Sequence, residues 1–411
     1  MTHLQLPDAP ARERMRSDHD TTLIVEAAAG TGKTTSVVSR VVEMVARGTA
    51  DIGRIATITF TEKAGGELRL RIRQSLEVRL AEAGNRDPVV RRRLERAIAS
   101  LEDATIGTIH SFCAALLGEY PVEAGVDPGF RILGQPEQRA FYDRVFRRFF
   151  EAQIHDPGPG IRRLLRRPSR NQWNQPVDLL RDAGLKLLEA RDFEAPWSRP
   201  AWDGESEVIR LMREGGFTPD GKAAPGLEEV AVLYRAIPPA PPKERTRATK
   251  PNWLAFSMAA ATALEEEIRL REEAGAGDPE WTEQALATLQ VQTYGGYPPR
   301  GAPPDLRNRR DAFRARLLEF QKRSNADLAA LLREDLRELV DLYEDAKRRA
   351  GVLDFHDLLA RTRDLLRDSP DVRSELQDHF RQVVVDEYQD TDPIQTEIAL
   401  LLTSDEPPNG D

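Results

Sequence analysis

The segment LIVEAAAGTGKT, residues 23–34, decides the fold of this chain. Its first three residues are an apolar run that predicts a short buried strand. Residues 27–34 fit the phosphate-loop pattern GxxxxGK(S/T), except that Ala27 replaces the first glycine. A helix is predicted next, because valines recur at helical spacing and Gly48 follows as an expected C-terminal cap. Strand, glycine loop and helix in this order predict one βα unit of a parallel sheet.

The predicted loop has the chemistry of a phosphate-binding site. Gly30 and Gly32 let backbone amides approach phosphate oxygens, and the N-terminus of the next helix adds a favourable dipole. Lys33 is expected to neutralise the β- and γ-phosphates of ATP, and Thr34 to supply a hydroxyl to Mg²⁺. The flanking strand and helix disfavour the competing interpretation, a chance glycine turn. The predicted nucleotide-binding residues are Ala27, Ala28, Ala29, Gly30, Thr31, Gly32, Lys33 and Thr34.

Strands and helices continue to alternate after the first unit. Residues 55–60 predict a second strand, and residues 105–109 a third. Between them a helix is predicted with Ala64, Leu68, Ile72, Leu76 and Leu80 on one face. These βα units predict an α/β fold.

A second motif, VVVDEYQD at residues 383–390, ends a hydrophobic strand with two carboxylates. Ligands of open α/β sheets bind at the carboxyl ends of the strands. Asp386 is expected to hold Mg²⁺ through water, and Glu387 to activate the water that attacks the γ-phosphate. Such an acidic pair alone favours a surface turn, but together with the phosphate loop it favours catalysis. The predicted catalytic residues are Lys33, Asp386 and Glu387, and the predicted metal ligands are Thr34 and Asp386.

Residues 121–345 have a different texture, with arginine-rich helical stretches and proline-rich segments near 237–251 and 298–304. We interpret this region as a mostly helical insertion whose proline-rich pieces are solvated loops or linkers. Near its end, leucines and Tyr343 predict one long amphipathic helix over residues 328–343.

Composition excludes several classes of protein. The chain has 411 residues and one cysteine, Cys113, so neither an internal disulfide nor a four-cysteine metal site is available within it. Cys113 is expected to be a small buried apolar residue. No apolar run reaches the ~20 residues of a membrane helix, and the N-terminal residues lack a signal-peptide pattern, so a cytoplasmic location is expected. The net charge of −9 argues against nucleic-acid binding by overall charge, although a local basic groove remains compatible with it.

With both motifs placed, the chain resembles superfamily 1 DNA helicases of the UvrD/Rep class, and the RecB and AddA motors most closely. The order and context of the matching stretches agree with that family. They are VEAAAGTGKTT (25–35), TFTEKAGGELRLRIR (59–73), TIHSFC (108–113), LDFHDLL (353–359) and DEYQDTDPIQ (386–395).

The resemblance implies a RecA-like phosphate-loop NTPase domain with a parallel sheet, formed by residues 1–120 and 346–411. The helical insertion, 121–345, then resembles the family's 1B domain. ATP and Mg²⁺ are the implied cofactors, and translocation along DNA is implied to run 3′ to 5′ in double-strand break repair. Implied partners are single-stranded DNA, duplex junctions and a second subunit of an AddAB- or RecBCD-like complex.

The same resemblance assigns single-strand contacts to two segments that follow predicted strands. Phe60 and Phe112 are expected to stack on bases, and core packing is the alternative for each. The hydroxyl groups of the threonines and Ser111 and the imidazole of His110 are expected to bond phosphate or sugar. The implied DNA-binding residues are Thr59, Phe60, Thr61, Thr108, His110, Ser111 and Phe112.

Two positions depart from the family pattern. Arg12 stands nearest to where the family has a glutamine that reads adenine, which puts strict preference for ATP in question. Gly65 stands where alanine is usual, at a helix cost of about 1 kcal/mol, and little functional effect is expected.

The sequence given stops at Asp411, before the family's second RecA-like domain and the nuclease domain of AddA and RecB. Hydrolysis by this chain alone is therefore expected to be slow, because the second domain supplies arginines to the γ-phosphate. Two hypotheses stay open: the motor half of an ATP-dependent helicase, or a module that binds nucleotide and DNA without productive turnover. An unrelated phosphate-loop ATPase is the third. What the gene encodes after the acidic motif separates the first two.

Overall fold

In a computed structural model the chain divides into two compact units, residues 1–139 with 346–411, and residues 140–345. The structure describes residues 8–28, 30–83, 87–167, 175–191, 202–204, 206–207, 210, 283, 287 and 306–404. The proline-rich segments at 237–251 and 298–304 lie outside the described residues. The predicted domain boundaries at residues 120 and 345 stay a prediction.

The described strands all belong to the first unit and pair in parallel. They are β1 (Ile55–Thr59), β2 (Ile106–Thr108), β3 (Arg131–Ile132), β4 (Val352–Leu353) and β5 (Gln382–Val385). The main sheet has the order β2-β1-β5, with Thr57 opposite Ile106 on one side and Val384 on the other. β3 and β4 form a separate pair. Parallel pairing confirms the predicted α/β class of this unit.

Helices alternate with these strands along the chain and also make up the described part of its middle. Those in the first part of the chain are α1 (Ala9–Ser17), α2 (Lys33–Arg47), α3 (Glu62–Ala83), α4 (Pro88–Ala99) and α5 (Ile109–Glu119). Those of the middle are α6 (Gln135–Gln153), α7 (Pro159–Leu165), α8 (Pro176–Glu189), α9 (Leu306–Asp335) and α10 (Arg337–Ala350). The last are α11 (Phe355–Asp368), α12 (Pro370–His379) and α13 (Pro393–Thr403). None of the helices in the described part of the chain is long and apolar enough to cross a membrane.

The central strand β1 is buried on both faces. Ile55 packs into the apolar cluster formed with α2, α3 and α4, whereas Ala56 and Ile58 pack into the cluster formed with α5, α11, α12 and α13. Successive side chains of a strand point to opposite faces, so helices cover the sheet on both sides. Each fully buried isoleucine or valine contributes roughly 1.5–3 kcal/mol to folding.

Helix α2 follows the sequence pattern closely. Its C-terminal cap is Gly48 in the left-handed conformation, at φ +76°, with its N–H donating to the carbonyls of Met44 and Val45. The predicted cap is therefore confirmed. The predicted apolar face is buried as well, and consists of Val37, Val38, Val41, Val42 and Val45.

The predicted strand at residues 23–25 is wrong. Residues 22–28 have no regular secondary structure, and the side chain of Ile24 is 82% exposed. A strand exists only with a hydrogen-bonded neighbour. Residues 23–25 pair with no strand in the described part of the chain, so their apolar character alone does not produce one.

The predicted apolar face of α3 needs one correction. Leu68, Ile72 and Leu76 are buried as predicted, but Ala64 is exposed and Gly65 is buried in its place. A Cβ at Gly65 would lie 3.2 Å from the Cα of Gly107 on β2. The glycine that appeared to weaken the helix therefore permits its close approach to the sheet.

The described residues of the second unit lie in helices and their connections. Its buried aromatic side chains include Tyr142, Phe149 and Tyr343. The single long helix predicted over residues 328–343 is wrong, because α9 ends at Asp335 and α10 begins at Arg337. Beside this break, the Asp335 carboxylate accepts a 2.9 Å hydrogen bond from the backbone N–H of Ile161.

Candidate functional site

The glycine loop leads directly into α2. Gly30 and Gly32 both have positive φ, +77° and +89°, a conformation that glycine adopts without strain. Thr31 closes the turn, because its hydroxyl donates to the carbonyl of Ala28 over 2.7 Å. Ala29, predicted to contact nucleotide, lies outside the described residues. The loop therefore presents its backbone at the N-terminus of a long buried helix.

Lys33 and Thr34 are the first two residues of α2. The Lys33 ammonium donates to the carbonyl of Ala27 over 3.2 Å, so the side chain folds back over the loop. The Thr34 hydroxyl lies 3.3 Å from Oδ2 of Asp386, at the end of β5. The structure thus brings Thr34, which follows Lys33 in the glycine-loop motif, into contact with Asp386 of the acidic motif.

The acidic motif begins where β5 ends. The N–H of Asp386 donates to the carbonyl of Ile58 over 2.9 Å, which extends the pairing of β5 with β1. Glu387 has φ +59° and ψ +40°, the one non-glycine residue with positive φ in the described part of the chain. Such a conformation costs about 1–3 kcal/mol at a non-glycine residue and often marks functional sites. The Gln389 amide donates to the Glu387 carboxylate, which is exposed.

The donor set at Thr34 and Asp386 fits Mg²⁺. One hydroxyl and one carboxylate oxygen are hard ligands, and Mg²⁺ takes few ligands from protein and completes its shell with water and phosphate oxygens. In the described ranges, no group of three or more His, Cys, Asp and Glu side chains is arranged to hold a metal ion. A metal ion at Thr34 and Asp386 would therefore need water or another ligand to complete its shell.

The side chain of Arg12 contacts the glycine loop, a contact that its position in the sequence did not predict. Its Nη2 donates to the carbonyl of Thr31 over 2.6 Å. Asp8 accepts from Nε at 2.9 Å and from Nη2 at 2.7 Å, and these bonds lower the pKa of the Asp8 carboxyl. Arg12 is therefore held against the phosphate loop by Asp8, the acidic residue that directly precedes its helix.

A second group of predicted residues follows β1. Phe60 is 57% exposed, directly after the strand. Thr61 is exposed and its hydroxyl accepts from the N–H of Ala64 over 3.1 Å, capping α3. Thr59 is buried, and its hydroxyl donates to the carbonyls of Thr61 and Gly107. Phe60 and Thr61 thus face solvent, while Thr59 braces the turn that carries them.

The third group follows β2. Thr108 is buried and caps α5, accepting from the N–H of Ser111 over 3.2 Å and donating to Glu62 over 2.8 Å. Ser111 is exposed, and its hydroxyl donates to the carbonyl of Thr108 over 2.9 Å. Since Glu62 begins α3, the two segments are tied together at one edge of the sheet.

His110 lies half-buried beside Phe355, which the sequence did not single out. Their rings meet edge to face with centroids 5.4 Å apart. Burial lowers the pKa of His110, and the nearby carboxylates of Asp392 and Glu62 act in the opposite direction. Phe355 begins α11, whose first turn has a capping box formed by Asp354 and Asp357.

The two carboxylates of that capping box also bind a buried lysine. Lys347 donates to Asp354 over 3.1 Å and to Asp357 over 2.5 Å, and all three side chains are almost completely buried. A buried cation with two carboxylates fixes the start of α11, and with it the position of Phe355.

Phe112 does not lie with the exposed residues. It is only 4% exposed and packs in the apolar cluster, with its ring 5.5 Å from that of Phe380. The expectation that Phe112 stacks on bases is therefore corrected: its helix, α5, turns this side chain into the core. The alternative stated from the sequence, core packing, is the one the structure bears out.

Comparison with known proteins gives one family and a set of relatives. The family model described as UvrD/REP helicase N-terminal domain matches residues 9–408. An ATP-dependent helicase/nuclease subunit from Latilactobacillus sakei is 27% identical over 446 residues, covering 100% of this chain and 48% of that protein. One of the same name from Heliobacterium modesticaldum is 28% identical, covering 93% and 30%. An exonuclease/helicase subunit RexA from Streptococcus pneumoniae is 26% identical, covering 93% and 32%. This chain thus spans between about a third and a half of the length of these relatives.

Proposed function

The chain belongs to the family of UvrD/REP helicase N-terminal domains, and we propose that it binds ATP and single-stranded DNA as the nucleotide-binding half of a DNA helicase motor. Family membership and the parallel sheet together imply a RecA-like phosphate-loop domain for the first unit. By resemblance to RecB and AddA, the motor moves 3′ to 5′ and serves double-strand break repair, and residues 121–345 are its 1B-like insertion.

The proposal depends most on one observation, the 3.3 Å approach of the Thr34 hydroxyl to Asp386. The β- and γ-phosphates would lie against the backbone N–H groups at residues 30–34, where the dipole of α2 favours negative charge. Lys33 would leave the Ala27 carbonyl and neutralise phosphate oxygens. Mg²⁺, held by Thr34 and Asp386 when bound, supplies further charge neutralisation on the phosphates.

Hydrolysis needs a group that orients the attacking water and takes its proton. We assign this role to Glu387, and its position directly after Asp386 and its exposed carboxylate support the assignment. The Asp386 carboxylate accepts from the N–H of Glu387 over 3.1 Å, which supports the left-handed turn. In the proposed step, a Glu387 oxygen accepts one proton of the water and the water oxygen forms a bond to the γ-phosphorus. The bond from that phosphorus to the β–γ bridging oxygen breaks, its electron pair stays on ADP, and inorganic phosphate is released.

The proposed DNA contacts lie after β1 and β2. Phe60 would stack on a base, and such stacking does not depend on the base sequence. Thr61, His110 and Ser111 would bond phosphate or sugar. Thr59 and Thr108 are buried with their hydroxyls bonded inside the protein, so we assign them the role of holding these turns.

The proposed nucleotide and DNA sites lie at the ends of neighbouring strands. The N–H of Asp386 donates to the carbonyl of Ile58, and Phe60 lies only two residues after Ile58. A shift of Asp386 on hydrolysis would therefore be transmitted to the turn that carries Phe60. This short path supports a motor in which hydrolysis and DNA contact are coupled.

The names of the relatives suggest a partner. The proteins from Latilactobacillus sakei and Streptococcus pneumoniae are both named as subunits. We extend this to the present chain and propose that it acts within a helicase/nuclease assembly at single-stranded DNA and duplex junctions.

Titration with ADP, with and without Mg²⁺, tests the nucleotide site. Mg²⁺ is expected to increase ADP affinity in the unmodified chain and in the control Asp390→Asn, an exposed carboxylate of the same motif. Asp386→Asn should remove the effect of Mg²⁺ on ADP affinity. Lys33→Ala should weaken ADP binding both with and without Mg²⁺. Its control is Lys63→Ala, whose side chain is 88% exposed and which should leave ADP binding unchanged. An Mg²⁺ effect that persists in Asp386→Asn would overturn the assignment.

A further inference from the structure

Arg12 is held at the phosphate loop by contacts on three sides. Its guanidinium donates to the Thr31 carbonyl at 2.6 Å and to Asp8 at 2.7 and 2.9 Å. Nη1 lies 3.5 Å from the hydroxyl of Ser36, on α2. A Cβ added to Gly32 would also meet Nη1 at 3.5 Å. The guanidinium is therefore positioned against the loop and the first turn of α2.

Arg12 and Asp386 lie on opposite sides of that turn. Asp386 meets the hydroxyl of Thr34, and Arg12 that of Ser36. Two residues along an α-helix correspond to a rotation of about 200°. If Mg²⁺ and the γ-phosphate lie on the side of Asp386, the nucleoside end of the same nucleotide leaves the loop on the side of Arg12.

The hydrogen-bonding capacity of Arg12 is not exhausted by its contacts. Nε and Nη2 together have three N–H groups, which Asp8 and Thr31 occupy. Nη1 has two N–H groups, and its contact within the described residues is the 3.5 Å approach to Ser36, at the outer limit for a hydrogen bond. Nη1 is therefore the donor that can serve a ligand.

A guanidinium donates hydrogen bonds and accepts none. On the edge that carries N7, adenine adds an amino donor at position 6, whereas guanine adds an acceptor. N7 itself accepts in both bases. A donor-only side chain at this point can bond N7 of either purine and can also donate to O6 of guanine, but it has no acceptor with which to recognise the amino group of adenine.

We propose that Arg12 donates to N7 of the purine of a nucleotide bound at the phosphate loop, so that the site takes guanine nucleotides at least as tightly as adenine nucleotides. The inference rests on the proposed nucleotide site and adds the class of base to it. Arg12 is a specificity-determining residue in this account, and the phosphate contacts are independent of it.

Titration calorimetry with ADP, GDP, 7-deaza-ADP and inorganic tripolyphosphate, all with Mg²⁺, tests this directly. 7-Deaza-ADP differs from ADP only in having C–H in place of N7. For the unmodified chain we expect GDP to bind at least as tightly as ADP. We expect 7-deaza-ADP to bind about tenfold more weakly than ADP, as for loss of one hydrogen bond to a charged donor. Arg12→Ala should bind ADP and 7-deaza-ADP equally. Arg14→Ala, on the same helix with a side chain 64% exposed, is the matched control and should behave like the unmodified chain.

Each of the following outcomes would contradict a specific part of the proposal. ADP binding more than about tenfold tighter than GDP, or a 7-deaza penalty that persists in Arg12→Ala, would contradict contact with N7. A loss of tripolyphosphate affinity in Arg12→Ala as large as that for ADP would show that Arg12 only shapes the loop. Failure of the unmodified chain to bind even tripolyphosphate would instead refute the proposed phosphate site, and this inference with it.

Discussion

The Thr34 hydroxyl lies 3.3 Å from a carboxylate oxygen of Asp386, although 352 positions of sequence separate the two residues. The contact follows from the topology, because β5 pairs in parallel with β1 and so ends at the same edge of the sheet. The carboxyl ends of parallel strands are where α/β domains bind ligands. Phe60 follows β1 at this edge, so the candidate nucleotide and DNA residues share it.

Phe60→Ala is expected to weaken binding of a single-stranded oligonucleotide. Stacking on one base is worth roughly 1–3 kcal/mol, which corresponds to about a 5- to 150-fold loss of affinity. Fluorescence anisotropy with a labelled oligonucleotide measures it. Stability should not change, because the side chain is 57% exposed. Leu70→Ala, which removes an apolar side chain 55% exposed on α3, is the control and should bind normally. Equal affinities for the Phe60 and Leu70 variants would remove Phe60 from the DNA site.

Gly65 and Gly66 should respond differently to alanine. Alanine gains up to about 1 kcal/mol over glycine within a helix. At Gly66 a Cβ meets no atom within 4 Å, so Gly66→Ala should raise the free energy of unfolding by roughly that amount. At Gly65 it would lie 3.2 Å from the Cα of Gly107, so the strain should cancel or exceed the gain. Urea unfolding of both variants checks this, and equal stabilisation by both would contradict the close packing of α3 on β2.

The lowered pKa of His110 predicts a pH dependence of stability. Burial disfavours the charged ring in the folded state, whereas the unfolded chain has an ordinary pKa of about 6.5. The unfolded state therefore binds more protons in mild acid. This contribution to stability is present above the unfolded pKa and is lost as the pH falls from there through the lower pKa of the folded state. Between about pH 7.5 and pH 5.5, the urea midpoint should fall less for His110→Gln than for the unmodified chain. His155→Gln, at an exposed position, is the control. An unchanged pH dependence in His110→Gln would show that the ring is not desolvated.

Cys113 should resist thiol reagents in the folded protein. It is fully buried, and burial raises the pKa of its thiol to about 12, so the reactive thiolate is scarce near neutral pH. Reaction with Ellman's reagent is expected only after denaturant is added. Rapid reaction of the native chain would mean that α5 does not pack as described.

The parts of the fold that could be predicted are those fixed by local pattern. The buried valine face of α2 and its cap at Gly48 follow from residues close in sequence, because helical spacing and a left-handed glycine are local properties. The strand character of β1 and β5 was likewise evident, since both are continuous apolar or β-branched runs.

The predictions that were wrong concern residues whose environment is set by residues distant in sequence. Residues 23–25 have the composition of a strand but no ladder partner in the described residues. The place of Gly65 in the buried face depends on Gly107, and the burial of Phe112 depends on Phe380, which lies far along the chain. At the site, sequence motifs predicted Lys33, Thr34 and Asp386 individually. The contact of Thr34 with Asp386 and that of Arg12 with Thr31 could be seen only in the folded structure.

Steady-state ATP hydrolysis, with and without single-stranded DNA, tests the central claim most directly. We expect turnover that single-stranded DNA stimulates. Glu387→Gln should lower it by at least about 100-fold, and the exposed control Glu82→Gln should leave it unchanged. Turnover that survives Glu387→Gln would contradict the assigned catalytic base. ATP and DNA binding without any turnover would contradict the enzyme assignment and favour a module that only binds.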